Sequence, residues 1–176
     1  MGKRSNFPRR VGDGYQTPFP PVTRLLPMLE NIRTFAEPCA GEGLLVGHLT
    51  SLGLTCLYQD DIAYGRNALD LRDEDLVDVD SIITNPPWTR SILHALIAHF
   101  MRLRPTWLLF DADWMHTVQA FRFLRHCSHI VSVGRVRWIF DTTTDGKDNA
   151  AWYRFHIQHD DGPRFVGLRS KGDIHA

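Results

Sequence analysis

The sequence is low in cysteine, balanced in charge and without a long apolar run. It contains three cysteines, Cys39, Cys56 and Cys127, an odd number that lacks the spacing of metal ligands. This argues against a disulfide framework and a cysteine-bound zinc ion, and it indicates a reducing compartment. Lysine plus arginine equals aspartate plus glutamate at 20 residues each, so the overall charge carries no signature of nucleic-acid binding.

Other absences narrow the class of protein further. No apolar run is long enough to span a membrane, and the first residues do not form an apolar signal segment. We therefore expect no membrane association and a cytoplasmic location. The nine histidines are scattered, and none pairs with a cysteine or an acid at a zinc-like spacing, so we predict no metal site.

The composition that remains is typical of an ordinary globular domain. Of the 176 residues, 43% are hydrophobic, which is enough for one domain with a sizeable core. There is no internal repeat and no low-complexity segment. We predict one catalytic domain over residues 15–168, a basic and flexible tail at 1–14, and a frayed tail at 169–176.

Strand-like and helix-like segments alternate along the chain. The strand candidates are 33–38, 54–61, 81–84, 106–110, 129–140 and 151–158, and the helix candidates are 18–30, 44–53, 90–103 and 114–127. Such alternation predicts an α/β fold with a mainly parallel sheet and helices on both faces. The last two strands follow each other without a helix, which predicts an antiparallel strand at the edge of the sheet.

Three polar signals follow the predicted strands, at the end where parallel sheets bind ligands. The first is EPCAGEG, Glu37 to Gly43, whose glycines permit a sharp turn and a close approach to a ligand. The second is QDD, in which Asp60 or Asp61 could take both hydroxyls of a ribose. The third is NPPW at 85–88, a stiff corner with an amide, carbonyls and an aromatic face. Each signal alone also fits a plain turn or a solvated strand end.

Together, the glycine turn, the strand-end acid and the NPPW corner resemble the S-adenosylmethionine-dependent amino-methyltransferases, in particular phage-type DNA adenine-N6 methyltransferases. NPPW matches the [DNS]-PP-[YFW] motif of that family, the most specific of the set. EPCAGEG matches its cofactor loop D/E-x-x-x-G-x-G, although it lacks the third glycine of the dinucleotide fingerprint. The resemblance covers most of the chain and implies a Rossmann-like, seven-stranded sheet with one antiparallel edge strand.

The resemblance also implies S-adenosyl-L-methionine as the cofactor and a set of site residues. Asp61 matches the ribose-binding acid, Asp70 the acid that reads the adenine amino group of the cofactor, and GYQTPFPPV the segment that closes over its methionine end. The implied cofactor-binding residues are Tyr15, Thr17, Pro18, Glu37, Pro38, Ala40, Gly41, Gly43, Asp61, Ile62, Asp70 and Asn85. The implied catalytic residues are Asn85, Pro86, Pro87 and Trp88. Trp88 and the loop residues Lys147, Asp148 and Asn149 are implied to face the substrate, although that loop could also simply turn. Arg135 and Arg137 form a local basic cluster and are further candidate substrate contacts.

The NPPW corner has a chemical rationale in this family. An exocyclic amine is a poor nucleophile because its lone pair is delocalised into the ring. The Asn85 side-chain carbonyl and the Pro86 backbone carbonyl can each accept one N–H, which stabilises the positive charge that grows during attack on the sulfonium methyl. The prolines aim that carbonyl in advance, and Trp88 offers a face on which the base can stack. In duplex DNA the base would first have to leave the helix.

The substrate stays open on the sequence alone. Adenine N6 in DNA is the first expectation, while cytosine N4, adenine in RNA and a protein glutamine amide present a planar amine of the same kind. We expect no separate target-recognition region, so specificity would come from loops or from the partner in a homodimer. An alternative of another class is a catalytically inactive, methyltransferase-like module that binds nucleic acid or cofactor. A phage-type enzyme is expected in the cytoplasm of a bacterium or of a phage-infected host cell.

Several other side chains have two interpretations each. Asp111 and Asp113 end the fourth predicted strand on the correct side and could contact substrate or simply be loop acids. Cys39 lies inside the cofactor loop and is expected to pack there and not to act as a nucleophile. Trp138 and Trp152 are expected to be core or edge-strand aromatics.

Overall fold

The chain folds around one seven-stranded mixed sheet. A computed structural model describes residues 15–139 and 146–168, so the predicted tails at 1–14 and 169–176 lie outside the described residues. The strands are β1 (Thr34–Glu37), β2 (Thr55–Gln59), β3 (Ser81–Thr84), β4 (Thr106–Asp111), β5 (Cys127–Arg135), β6 (Asn149–Phe155) and β7 (Arg164–Val166). They lie in the order β2-β1-β3-β4-β6-β5-β7. The expected α/β fold with a mainly parallel, seven-stranded sheet is confirmed.

Among the strands that the structure describes, the reversed one has a different position from the one expected. β6 runs antiparallel to both β4 and β5, whereas every other neighbouring pair is parallel. β6 is therefore the third strand from the edge, and the expectation of an antiparallel edge strand is corrected. The reason is that β5 occupies an outer position and β6 returns between β4 and β5, where both of its sides are paired. The short strand β7, which the residue pattern did not predict, then covers the outer side of β5.

Within the described residues there are four α-helices, of which the first precedes β1 and the other three lie between strands. They are α1 (Phe19–Leu25), α2 (Leu44–Ser51), α3 (Arg90–Leu103) and α4 (Phe121–Leu124). α3 has the bounds expected from its apolar period, and α2 ends two residues before Gly53, whose φ of 94° stops the helix. Between β2 and β3 the polar connection contains three short 3₁₀ turns, at Ile62–Tyr64, Ala68–Asp70 and Asp73–Leu76.

The prediction of one helix over 114–127 is mostly wrong. Two 3₁₀ turns, Ala112–His116 and Val118–Ala120, come first, and only Phe121–Leu124 is α-helical. Thr117 has extended backbone angles (φ −92°, ψ 149°) and separates the two turns. Because Trp114, Ala120 and Phe123 are all buried, a broken path lets the segment place each of them in the core. Tertiary packing overrides the local helical pattern here.

Two hydrophobic clusters cover the two faces of the sheet, which confirms the expected helices on both faces. One contains Leu93, Leu96, Ile97 and Phe100 of α3 and Phe123 of α4. The other contains Val22 and Leu25 of α1 and Leu45 and Leu49 of α2. Trp152 is fully buried in the second cluster, and its indole N–H donates to the Pro21 carbonyl over 2.9 Å.

Two negative findings concern the residues that the structure describes. Within 15–139 and 146–168 no helix is long and apolar enough to cross a lipid bilayer. Across the same ranges no three His, Cys, Asp or Glu side chains cluster in a way that could hold a metal ion.

Candidate active site

A cavity of about 600 Å³ opens at the carboxyl ends of β1, β2 and β3. This volume lies within the range of small-molecule and cofactor sites. Its wall is formed by Tyr15, Gln16, Thr17, Glu37, Pro38, Cys39, Ala40, Gly41, Glu42, Leu45, Asp61, Ile62, Ala63, Tyr64, Asn67, Ala68, Leu69, Asn85, Pro87, Ile92 and Leu96. The three polar signals of the sequence therefore meet in one place, because the strands that carry them are neighbours and parallel.

The glycine turn after β1 leads directly into α2. Gly41 and Gly43 have φ of 54° and 81°, the left-handed region that favours glycine. A Cβ on Gly41 would collide with the side-chain amide of Gln16, and one on Gly43 would come within 2.7 Å of the amide nitrogen of Gln59. Backbone angle and space thus both select glycine. Gly41 lines the cavity, whereas Gly43 serves as the N-cap of α2 behind it.

Asp61 ties the end of β2 to this turn. Its Oδ2 accepts a hydrogen bond from the Gly41 N–H at 2.8 Å, and its Oδ1 accepts one from the Ala63 N–H at 2.8 Å. A carboxylate oxygen has more than one acceptor position, so both oxygens can still accept from a ligand. Asp60 behaves differently, because its side chain pairs with Arg66 over 3.6 Å and does not line the cavity. Of the two candidate acids, the structure therefore brings Asp61 to the cavity.

Glu37 is a buried carboxyl group on the cavity wall. It is 1% exposed, and its Oε2 has no hydrogen-bond partner among the described residues. Burial raises its pKa well above the ordinary value of 4.5, and the nearby Asp61 charge raises it further, while a hydrogen bond from the Val46 backbone lowers it. An unpaired polar atom in such a position is costly unless something pairs with it. The arrangement suits a ligand that brings a cation or an N–H donor.

The NPPW corner orients the Asn85 amide through both of its ends. The amide nitrogen donates to the Tyr15 carbonyl at 3.3 Å, and the amide oxygen accepts from the Trp88 indole N–H at 3.2 Å. Because the indole is only a donor and the backbone carbonyl only an acceptor, the amide has a single consistent orientation. Its oxygen retains a second lone pair. Asn85 and Pro87 line the cavity, while Pro86 is buried behind them.

Trp88 has a larger packing role than the sequence predicted. Its indole N–H also lies 3.2 Å from the Leu109 carbonyl of β4, so it is shared between two acceptors. The ring is half-buried, packs against both hydrophobic clusters, and meets the ring of Trp138 edge to face at 5.6 Å. Trp88 does not line the cavity, and it contacts the site through the hydrogen bond that its indole N–H donates to Asn85.

The segment before α1 covers one side of the cavity. Tyr15 and Thr17 line it as expected, but Pro18 does not. Gln16 was missed by the sequence analysis although it lies between them. Its Oε1 accepts from the Leu44 N–H at 3.3 Å, at the first residue of α2, so the segment is held to both the glycine turn and Asn85.

Several predicted residues lie away from the cavity, and some unpredicted ones line it. Asp70 is exposed at the end of a 3₁₀ turn, and the neighbouring Asn67, Ala68 and Leu69 form the wall in its place. Ile92 and Leu96 of α3 were also missed, since an amphipathic helix gives no sign of which apolar residue borders a cavity.

The predicted substrate-binding residues gather at the same edge of the sheet but outside the cavity. Lys147, Asp148 and Asn149 are exposed at the start of β6, and Arg135 pairs in register with Asn149. Arg137 is exposed shortly after β5. These residues lie beyond the carboxyl end of β4 on the side of β6 and β5, and none of them lines the cavity.

Asp111 stands at the carboxyl end of β4, where it pairs in register with Ala150 at the start of β6. It is half-buried, and burial is the main cause of its raised pKa, to which Asp113 and Asp148 add. Its Oδ1 accepts from the Asp113 N–H at 2.9 Å, so at least part of its role is to shape the turn that follows β4.

Cys39 lies on the cavity wall as a thiol. Burial raises its pKa to about 12, with the Glu37 and Asp61 charges adding to the effect and the Thr84 side chain opposing it. A thiol with this pKa is not a nucleophile at neutral pH.

Comparison with known proteins identifies similar folds. A crystal structure of a candidate RNA methyltransferase from Pyrococcus horikoshii aligns with a TM-score of 0.55 and 14% identity over 88% of this chain and 92% of that chain. A chain from a type I restriction-modification system aligns with a TM-score of 0.52 and 13% identity over 96% of this chain and 47% of that chain, so this chain spans about half its length. No protein-family model and no curated protein matches the sequence. At these identities the likeness shows the fold alone, a Rossmann-like α/β architecture that this chain shares with the two proteins.

Proposed function

We propose that this protein is an S-adenosylmethionine-dependent methyltransferase that acts on an exocyclic amine, with adenine N6 in DNA as the leading substrate. The observation that carries the proposal is that Gly41, Asp61 and Asn85 line one cavity of about 600 Å³. These three residues come from three separate strand ends. Parallel neighbouring strands bring these ends together in any case, so the support comes from the residue types that the three ends place on the cavity wall: a glycine turn, a carboxylate and an amide.

The residues of the cavity fit the proposed cofactor. Asp61 would hold the two ribose hydroxyls. Each of its oxygens accepts one backbone N–H, which fixes the carboxylate, and each retains an acceptor position for a hydroxyl. Glu37 offers a buried carboxyl group without a partner on Oε2, which suits the ammonium of the methionine moiety. The bound cofactor supplies an electrophilic methyl group on a sulfonium. Tyr15 and Thr17 would help to exclude water from it.

The protein's own contribution to catalysis is to prepare the target amine. The Asn85 Oδ1, on the cavity wall, would accept one of its N–H bonds and stabilise positive charge on the nitrogen as it attacks. The second acceptor expected from the sequence, the Pro86 carbonyl, belongs to a buried residue that does not line the cavity. The bond from the methyl carbon to sulfur would break as the bond to nitrogen forms, and the methylated amine would then release one proton to solvent. The amide of Asn85 is already oriented by Trp88 and Tyr15. Holding the amine in line with the methyl carbon and the sulfur would supply much of the acceleration. Trp88 would then act as an orienting donor as well as a stacking face.

Adenine in RNA is the second candidate substrate. One structural neighbour is a candidate RNA methyltransferase and the other belongs to a restriction-modification system, so the neighbours support a nucleic-acid substrate without favouring one kind. Cytosine N4 and a protein glutamine amide present an amine of similar geometry. Methylation of a base carbon through a thiolate is disfavoured because the pKa of Cys39 is about 12.

Two measurements test the proposal. Calorimetric titration with S-adenosylmethionine separates a cofactor-binding protein from one that has only the fold. Incubation with methyl-labelled cofactor and separate pools of DNA, RNA and protein, followed by mass spectrometry of the digests, identifies the modified group. We expect N6-methyladenosine in the DNA or RNA digest. Cofactor binding without transfer to any pool would support the inactive module instead, and label only in 5-methylcytosine would contradict the mechanism.

A further inference from the structure

The most exposed large apolar side chains among the described residues lie together in the segment that follows β4. Val118 is 92% exposed and Phe121 is 83% exposed. They are not parts of a loosely packed loop, because the intervening Ala120 is fully buried and Phe123 is 4% exposed. The buried side chains of Ala120 and Phe123 thus hold the segment in place, while Val118 and Phe121 are exposed to solvent. Exposure of this kind on an anchored element points to a binding surface.

The same segment is fastened to the NPPW corner. Arg90 begins α3 two residues after Trp88, and its guanidinium donates to the Thr117 hydroxyl at 3.1 Å and to the Gln119 side-chain carbonyl at 3.4 Å. The first turns of α3 also supply Ile92 to the cavity wall. One short stretch of α3 therefore borders the cavity on one side and the exposed segment on the other. The segment therefore lies beside the cavity.

Positive charge accompanies the exposed ring. The Arg122 guanidinium lies 4.6 Å from the centre of the Phe123 ring, and Arg122 and Arg125 are both exposed. His94 accepts the Trp114 indole N–H at 3.0 Å through Nε2, and burial together with the Arg122 and Arg90 charges lowers its pKa. Those two arginines therefore converge on one region of the surface. The acidic residue in the stretch between β4 and β5 is Asp113, whose backbone N–H donates a hydrogen bond to the Asp111 carboxylate.

We infer that the segment from Val118 to Arg122 is a nucleic-acid contact surface, on which Phe121 stacks on a base next to the target and Arg122 pairs with the adjoining phosphate. This inference rests on the proposed function, and it adds a contact surface for the proposed nucleic-acid substrate. An exposed aromatic ring beside guanidinium groups is the combination by which proteins bind unstacked strands. A side chain that holds a neighbouring base also helps to keep a target base out of its stack. Val118 adds apolar contact at the same surface.

The test uses fluorescein-labelled strands of twelve deoxyadenosines and of twelve riboadenosines, with binding followed by fluorescence anisotropy. Stacking on a base is worth about 1–3 kcal/mol, so Phe121→Ala should weaken binding about 5- to 150-fold. Phe121→Trp should bind at least as tightly as the parent. The matched control is Phe165→Ala, which removes a 61% exposed ring on β7 and should leave affinity unchanged. The two strands compare DNA with RNA on the same surface.

A second pair of variants isolates the phosphate contact. Arg122→Gln should reduce the slope of log affinity against log salt concentration by about 0.7, the value for one phosphate contact on a single strand. Arg102→Gln changes an exposed arginine in the last turn of α3, away from the cavity, and should leave the slope unchanged.

The outcomes separate this inference from the proposed function. Parent protein that binds neither strand, or Phe121→Ala protein that binds like the Phe165→Ala control, would overturn the surface while titration with S-adenosylmethionine still reports on the cofactor site. Binding that depends on Phe121 in a protein without affinity for the cofactor would support the surface and contradict the methyltransferase. Thermal midpoints of all variants, measured in parallel, should stay close to that of the parent because each altered side chain is exposed.

Discussion

The Asn85 Oδ1 lies 3.2 Å from the Trp88 indole nitrogen, so the aromatic residue of the NPPW corner orients the amide three residues before it. The opposite end of the amide is held by the Tyr15 carbonyl, from the segment that covers the cavity. Asn85 thus lies on the cavity wall and is hydrogen-bonded both to Trp88 and to the segment before α1. Trp88 therefore orients Asn85 in addition to any stacking role. Substitutions at Asn85 and at Trp88 should for this reason have different effects on turnover.

Replacing Asn85 tests the proposed acceptor. Asn85→Ala should lower turnover by about two to three orders of magnitude, as when one preorganised hydrogen-bonding group is lost from a transition state. Cofactor affinity should change much less. Asn85→Asp keeps an acceptor for Trp88 and adds negative charge beside the developing cation, so it should retain far more activity than alanine, although its carboxylate faces the Tyr15 carbonyl. Single-turnover transfer assays and calorimetry measure both effects. Two folded variants with the parent rate would leave Asn85 as a turn residue only.

Replacing Trp88 tests the orienting donor. Trp88→Phe retains a ring but removes the indole N–H, which leaves the Asn85 and Leu109 carbonyls without that donor. Turnover should fall several-fold to about tenfold, and the free energy of unfolding should drop by about 1 kcal/mol. The matched control is Trp138→Phe, which alters the neighbouring ring without removing the donor to Asn85. Equal losses in both variants would show that only ring packing matters.

Replacing Asp61 tests the ribose contact and the loop contact together. Asp61→Ala should weaken S-adenosylmethionine by about 1–3 kcal/mol, because the hydroxyl pair loses its acceptor. The structure adds that the Gly41 and Ala63 N–H groups also lose theirs, so the thermal midpoint should fall while the protein remains folded. Asp60→Ala is the control, since its ion pair with Arg66 is worth little and its side chain does not line the cavity. Its Oδ1 also accepts from the Asp61 N–H at 2.9 Å, so the thermal midpoint of this control should fall slightly while cofactor affinity is retained. Unchanged cofactor affinity in Asp61→Ala would remove Asp61 from the site.

Replacing Glu37 tests the buried carboxyl group through pH. Its folded pKa is raised above the ordinary 4.5, so the native state holds its proton more tightly than the unfolded chain does. The stability of the unliganded protein that depends on this proton is fully present below about pH 4.5 and is lost as pH rises towards the folded pKa. Glu37→Gln should remove this dependence. Thermal midpoints of parent and variant, measured without ligand from pH 4.5 upwards, should diverge in favour of glutamine. Parallel curves would contradict an ionisable, unpaired Glu37.

A large part of the fold was predictable because it depends on local patterns. The apolar period of 90–103 defined α3 to the residue, and Gly53 ended α2 as expected. The 114–127 helix failed because an extended Thr117 and three buried side chains outweighed a helical pattern. β7 was missed because a strand of three residues has too short a pattern to recognise.

By itself, the sequence determined the strand ends at which polar residues collect and the stiffness of the corner at 85–88, since turn chemistry and side-chain period act over a few residues. Only the tertiary structure decided that the Asn85 amide points its nitrogen to Tyr15, that Gln16 reaches the first turn of α2, and that Trp88 packs against both hydrophobic clusters. Such contacts join residues far apart in the chain. Their geometry follows from how the sheet and helices pack, which no short stretch of sequence encodes.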